Sequence, residues 1–284
     1  MGLKRGISWV EIRLEPGVVM YRAADGGPTR FPVTGLKRNT THLHPTPKAG
    51  QMLLPAESNP ELAAMNLMDL STSFLSYMAQ PHLLVFHRNG KKREYTPDIE
   101  AVVPFWFVEQ LLNGIPFFRA ALKMPSARSA RDPLVNIVLE VKKSMKYETD
   151  DYKTKIKDDV PPIYGRHGYH FFVIEEEPDL PPKRCAHLPS ILMDRNLIVS
   201  DDIVPTALEF LRRENGVTTY AAMMDALGGG PAGRERTNYL HIQGLIWADL
   251  SANPVMREAS TVVAMPPLLG PKRIALARRS SAKA

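Results

Sequence analysis

Three ionisable residues carry the clearest chemical signal in the sequence. Pro97-Asp98 follows a hairpin-like stretch, and Glu140-Val141-Lys142 closes the apolar run over residues 136–141. Side chains alternate along a strand, so Glu140 and Lys142 project to one face while Leu139 and Val141 project to the other. Two carboxylates and a lysine gathered in this way suit phosphodiester hydrolysis. That reaction uses hard oxygen ligands for Mg²⁺, or Mn²⁺ in its place, with one or two ions stabilising the attacking and leaving oxygens. Asp98 and Glu140 are the candidate metal ligands, together with the main-chain carbonyl of Val141. Lys142 can orient or help deprotonate the attacking water and offset charge on the transition state. The competing reading makes Asp98 a turn residue and Glu140–Lys142 an exposed ionic pair. Against it, a charged pair ending a Val/Ile/Leu strand is costly unless it is paired or used.

These residues need elements to position them. Leu83-Leu84-Val85-Phe86 and Arg93-Glu94-Tyr95 flank Asn89-Gly90, the strongest short hairpin signal, and the second strand is expected to continue towards Val103, carrying Asp98 on it. Ser58-Asn59-Pro60-Glu61 has capping-box spacing ahead of Leu62, Met65, Leu67, Met68 and Leu70, so a helix should start near residue 59. Residues 136–141 and 169–174 suit buried strands, and residues 104–133 read as an insertion. Short strand-like pieces over 7–14 and 18–22 form part of an N-terminal lead-in, residues 1–54. A nuclease-like α/β (α+β) domain over 55–178 follows, and the proline-rich stretch from Pro178 to Pro182 marks the boundary. Helical patterns over 203–213, 220–227 and 234–250, with a final strand near 261–264, suggest a small C-terminal helical, winged-helix-like domain over 185–270. Residues 271–284 form a basic tail with Lys272, Arg273, Arg278, Arg279 and Lys283 and no acid, a composition suited to phosphate or to an acidic protein surface.

Composition narrows the class. The hydrophobic fraction of 44% and charged fraction of 23% are those of a globular protein, and the net charge of +6 is compatible with a polyanionic partner. The single cysteine, Cys185, excludes an internal disulfide and a multi-cysteine zinc site and points to a reducing compartment, the cytoplasm by default. No run approaches the ~20 apolar residues of a membrane span, so no membrane partner is expected.

The chain resembles the TnsA-type endonuclease subunits of heteromeric transposases, members of the PD-(D/E)xK nuclease superfamily. The resemblance runs from about residue 54 to 176 and more weakly beyond. It is carried by Glu61, by Tyr77 with Gln80-Pro81, by Tyr95-Thr96-Pro97-Asp98, by Leu139-Glu140-Val141-Lys142 and by Gly168-Tyr169-His170-Phe171-Phe172-Val173-Ile174. It implies a restriction-endonuclease-like mixed sheet flanked by helices, with an active site of Glu61, Asp98, Glu140 and Lys142 in which Glu61 joins the metal ligands. It further implies cleavage of one strand, the 5′ end, at each transposon end of double-stranded DNA, together with a DDE-type transposase and an AAA+ ATPase regulator. The C-terminal domain would dock on the regulator. From its own spacing Glu61 also reads as a helix cap, and Glu57 competes for the helix carboxylate. The alternatives in function are a stand-alone restriction or repair endonuclease and a non-catalytic DNA- or protein-binding adaptor.

Other candidates carry less. His87-Arg88-Asn89 sits in a hairpin turn without a second metal-binding half, and His167 and His170 lack the spacing of a helical zinc pair. Lys153, Lys155 and Lys157 alternate with acids and read as a solvated face, with contact to the DNA backbone as the other reading. Trp106, Phe107, Phe117 and Phe118 could stack on bases but suit a core better, as does Trp247. Gly228-Gly229-Gly230-Pro231 lacks the Lys-Ser/Thr of a phosphate loop.

Overall fold

A computed structural model describes residues 8–31, 40–127 and 129–266. The chain is of mixed α/β class and divides into two compact units whose segments alternate along the sequence. Met1–Met65, Phe74–Val103 and Leu134–Pro182 form the first unit; Asn66–Ser73, Pro104–Pro133 and Lys183–Ala284 form the second. This division differs from the serial one expected from the sequence. Residues 1–54 contribute strands to the first unit, and residues 104–133 group with the C-terminal part. The last boundary does fall where the proline-rich stretch marks it, at Pro182/Lys183, although Leu180 within that stretch, between the short helical segments Glu176–Asp179 and Pro182–Cys185, is buried. The basic tail, 271–284, lies outside the described residues.

The first unit contains strands β1 (Trp9–Glu15), β2 (Val18–Ala23), β3 (His42–Pro45), β4 (Leu53–Ala56), β5 (Ser76–Ala79), β6 (Leu83–Arg88), β7 (Lys91–Tyr95), β8 (Ile99–Pro104), β9 (Leu134–Lys142) and β10 (Tyr169–Glu175). They form two four-stranded sheets, ordered β1-β2-β6-β7 and β10-β9-β8-β5, and a β3-β4 pair. The β6-β7 hairpin closes as its sequence predicts. Arg88 pairs with Lys91, and Asn89 (φ 50°) and Gly90 (φ 71°) both take the left-handed conformation that a two-residue turn of this hand requires. The second strand does not run on to Val103, however. It stops at Tyr95, and after Thr96-Pro97-Asp98 the chain enters the other sheet as β8. Pro97, with no N–H to give a ladder, suits the break.

β9 pairs in parallel with β10, Glu140 opposite Val173 and Lys142 opposite Glu175. Val18, Met20, Leu84, Phe86 and Tyr95 from the first sheet pack with Val138 of β9 and with Ile156, Val160, Ile163 and Tyr164. Tyr164 stacks on Phe171 at 5.9 Å. Burying each large side chain contributes about 1.5–3 kcal/mol, so this cluster fixes where the ends of β7 and β9 lie. Its helical component is irregular: Asp150–Thr154 is α-helical, Lys155–Asp159 is a π turn, and Val160–Arg166 is α-helical again. Pro161 and Pro162 bring no N–H to the carbonyls one turn back, which accounts for the widened turn before them.

In the second unit, helices Phe105–Leu112 and Phe117–Leu122 bury Trp106, Phe107, Phe117 and Phe118, so these aromatics are core. Trp247 is half-buried and donates from Nε1 to the Leu122 carbonyl at 3.1 Å. Helices Ile203–Arg213, Tyr220–Ala226 and Gly230–Ile242 accompany strands β11 (Val217–Thr219), β12 (Trp247–Ala248) and β13 (Val262–Ala264), which form an antiparallel sheet ordered β11-β13-β12. The expected helix over 234–250 is corrected at both ends. It begins at Gly230 and stops at Ile242, where Gly244 (φ 67°) turns the chain into β12. No helix among the described residues is long and apolar enough to cross a membrane.

Candidate functional site

Two strand ends bring the predicted residues together. Asp98 lies between β7 and β8, and Glu140 and Lys142 close β9. The Val141 N–H donates to Asp98 Oδ2 at 2.8 Å, and Lys142 Nζ lies 2.6 Å from Glu140 Oε1 and 3.8 Å from Asp98 Oδ2. Glu140 and Lys142 therefore share a face, as strand alternation requires. They form an ion pair, but not an exposed one, because Glu140 is 2% exposed and the Lys142 side chain 22%; Asp98 beside them is also buried.

Two tyrosines hold Glu140 from either side. Tyr95, the last residue of β7, donates its hydroxyl to Glu140 Oε2 at 2.5 Å, and Tyr152 from the Asp150–Thr154 helix donates to Oε1. Burial raises the pKa of both hydroxyls, and the Glu140 charge raises it further, so both stay protonated and remain donors. Lys142 Nζ also lies 5.2 Å from the Tyr152 ring centroid.

The cluster is rich in negative charge. Burial pushes the Asp98 carboxyl well above the usual carboxylate range and Glu140 pushes it further, while Lys142 and the Val141 N–H oppose them. Burial acts against the Lys142 ammonium, but Asp98 and Glu140 outweigh it and hold its pKa up, so Lys142 stays charged. A cavity of about 250 Å³ opens onto Asp98, Glu140 and Lys142, and Arg30, Tyr152 and Lys155 line it as well. A hard divalent cation fits this donor set. Two buried carboxylates repel one another with one ammonium between them, and the Val141 carbonyl faces the same strand edge as the N–H that bonds Asp98. Among the described residues no three His, Cys, Asp or Glu side chains are grouped to hold an ion.

Glu61 stands slightly apart. It is buried at the start of the helix Asn59–Leu70 and closes that start: its Oε1 accepts from the Ser58 hydroxyl at 2.8 Å, its Oε2 from the Glu57 N–H at 2.9 Å, and its own N–H donates to Ser58 Oγ at 3.3 Å. This is the capping role that the Ser-x-x-Glu spacing predicts. Burial raises its pKa although the Glu57 N–H and Ser58 hydroxyl oppose, and Lys142 also lowers it, so Glu61 shares the electrostatic field of the cluster. The competing Glu57 is engaged elsewhere, in an ion pair with Arg30 at 2.8 Å.

The remaining candidates lie outside this cluster. His87 sits near the hairpin and approaches the Gly17 carbonyl at 3.3 Å, and His167 is 3.5 Å from Glu15. Sequence reasoning did not assign site roles to Tyr95, Tyr152 or Arg30, and it read Lys155 as part of a solvated face with DNA-backbone contact as the other reading. A usable signal was Tyr152 three residues before Lys155, which puts a ring and a cation on one helical face. No such local signal attaches Arg30, which reaches the cavity through a bond from Nε to Gln80 Oε1 at 2.6 Å. No protein-family model matches the sequence, and no curated protein matches it either.

Proposed function

We propose that the chain is a metal-dependent DNA endonuclease of the PD-(D/E)xK type, and specifically the TnsA-type subunit of a transposition machine. The observation that carries this reading is the convergence of Asp98, Glu140 and Lys142 on one cavity, tied by the Val141–Asp98 bond. Asp98, Glu140 and the Val141 carbonyl would hold Mg²⁺, with Mn²⁺ substituting and Glu61 as the helix carboxylate of the same site. A bound divalent ion supplies Lewis-acid stabilisation of the phosphate oxygens and a more acidic water.

The chain's own residues do the rest. Tyr95 and Tyr152 fix the Glu140 carboxylate, and Lys142 keeps a positive charge where the attacking water and the developing phosphorane charge would sit. The sheet ordered β10-β9-β8-β5 is consistent with a restriction-endonuclease-like core. In the second unit, three helices and an antiparallel sheet ordered β11-β13-β12 support a winged-helix-like module that would dock on the AAA+ regulator.

The partner reading has its own test. A plasmid carrying the element's ends is incubated with the full chain, with and without its DDE transposase and ATPase partners, in Mg²⁺ or with chelator. Nicks at the 5′ ends only in the complete, metal-replete mixture would support the transposition reading; equal nicking by the chain alone would favour a stand-alone nuclease. Strand integrity in every mixture would contradict both.

A further inference from the structure

Three cations line the cavity, and two of them are engaged. Lys142 is bound to Glu140, and Arg30 to Gln80 and Glu57. Lys155 is different. It is half-buried, and among the described residues it makes no hydrogen bond and no ion pair. Its ammonium instead lies 4.7 Å from the Tyr152 ring centroid and 5.7 Å from that of Tyr95, the two tyrosines whose hydroxyls hold Glu140. Ring faces attract a cation but accept none of its three N–H donors in the way an oxyanion does. The π turn that starts at Lys155 is the widened segment of an otherwise α-helical stretch, and such turns recur at functional sites. Burial lowers the pKa of Lys155 while Glu140 and Asp151 oppose, so an arriving anion would strengthen its charged form.

We infer that Lys155 is a further catalytic residue: its ammonium takes a non-bridging oxygen of the phosphodiester being cleaved and holds that phosphate against the Asp98–Glu140 pair. The inference rests on the nuclease reading, and within the 153–157 charge run it assigns to Lys155 the DNA-backbone contact in place of the solvated face. Lys157, exposed on the same turn, is the natural control.

The test uses the full chain and a labelled duplex carrying the element's end, with Ca²⁺ and the chain alone for binding, and with Mg²⁺ and the transposase and ATPase partners added for cleavage. Lys155→Met keeps the apolar stem over the two rings, and Lys155→Arg keeps the charge. With Ca²⁺, Lys155→Met should reduce the slope of log affinity against log salt by about 0.9, the value of one phosphate contact. With Mg²⁺ it should slow cleavage by about a hundredfold, as loss of one charge-stabilising donor does. Lys155→Arg should recover most of both, and Lys157→Gln should change neither. An unchanged slope in a Lys155→Met protein of unaltered melting temperature overturns the assignment, whatever happens to cleavage. If Lys155→Met does not fold, a Lys155→Arg protein with both readouts altered as strongly as by loss of the charge also overturns it. Should the wild-type chain bind with the Lys155-dependent slope yet never cut, even with its transposase and ATPase partners present, the nuclease reading falls while Lys155 stands as a phosphate contact.

Discussion

The Val141 N–H donates to the Asp98 carboxylate at 2.8 Å, joining the end of β9 to the start of β8. The two halves of the candidate site are thus fastened by main chain on one side. The carboxylate that the chemistry needs is held by the same bond that helps to order the sheet.

Tyr95 is the first test of how the site is held. Tyr95→Phe leaves Glu140 Oε2 without its buried donor and should destabilise the protein by about 1–3 kcal/mol in denaturant melts. Tyr152→Phe, at a less buried hydroxyl with Lys142 still on the same oxygen, should cost less. Equal midpoints for Tyr95→Phe and wild type would show that Glu140 does not depend on this bond.

Glu61 has two roles to separate. Glu61→Gln preserves a capping side chain, whereas Glu61→Ala removes the cap at about 0.5–2 kcal/mol. If Glu61 also serves the metal, Glu61→Gln should melt like wild type but cleave at least about tenfold more slowly, the equivalent of ~1.4 kcal/mol in the barrier. Wild-type cleavage by Glu61→Gln would confine the residue to capping.

Much of this was legible in the sequence, and the gaps have physical causes. The Asn89-Gly90 turn, the Ser58–Glu61 cap and the shared face of Glu140 and Lys142 follow from local rules and are seen in the structure. The position of Asp98 was only half legible. Periodicity carried one strand through residues 93–103, but Pro97 splits it between two sheets, and sheet membership is set by long-range packing. Tyr152 and Lys155 were only partly legible: their spacing puts a ring and a cation on one helical face, but charge alternation over 150–159 looks the same on a solvated helix as on one that buries a single edge. The alternation of the two units was not readable at all, since which segments of chain pack together is a tertiary outcome.

A buried histidine gives the first unit a pH dependence. His82 is fully buried, with Nδ1 3.0 Å from Glu100 and Nε2 2.5 Å from the Tyr164 hydroxyl, and Arg22 also binds Glu100. Burial lowers its pKa below the ordinary 6.5 although Glu100 opposes. The unfolded chain therefore protonates first: the stability from neutral His82 is complete above 6.5 and is lost as pH falls through the lower, folded value. Glu100, held below 4.5 by His82 and Arg22 against burial, loses its contribution lower still. Chemical denaturation between pH 7.5 and 5 should show a loss of stability on acidification that is larger, relative to His82→Gln, in wild type. The Asp98 and Glu61 carboxyls, raised by burial, contribute the opposite sign and are common to both proteins. Identical slopes would rule this linkage out. His187, also lowered by burial, adds the same sign from the second unit and is common to both proteins.

In the second unit Gly233 sits where the helices Tyr220–Ala226 and Gly230–Ile242 meet. A Cβ there would lie 2.2 Å from the Met224 carbonyl oxygen, which must then move. Gly233→Ala gains about 1 kcal/mol of helix propensity but should be destabilised overall by about 1–3 kcal/mol of overpacking. A melting temperature at or above wild type would mean that the two helices part easily.

The central claim is that Asp98, Glu140 and Lys142 form one metal-dependent cleavage site. Its most direct test is strand cleavage by Asp98→Asn in the assembled complex, with Mg²⁺ and with Mn²⁺, beside a thermal melt. The near-isosteric amide relieves carboxylate repulsion, so the protein should stay folded while cleavage is abolished with both metals. Wild-type cleavage by a folded Asp98→Asn protein would contradict the account.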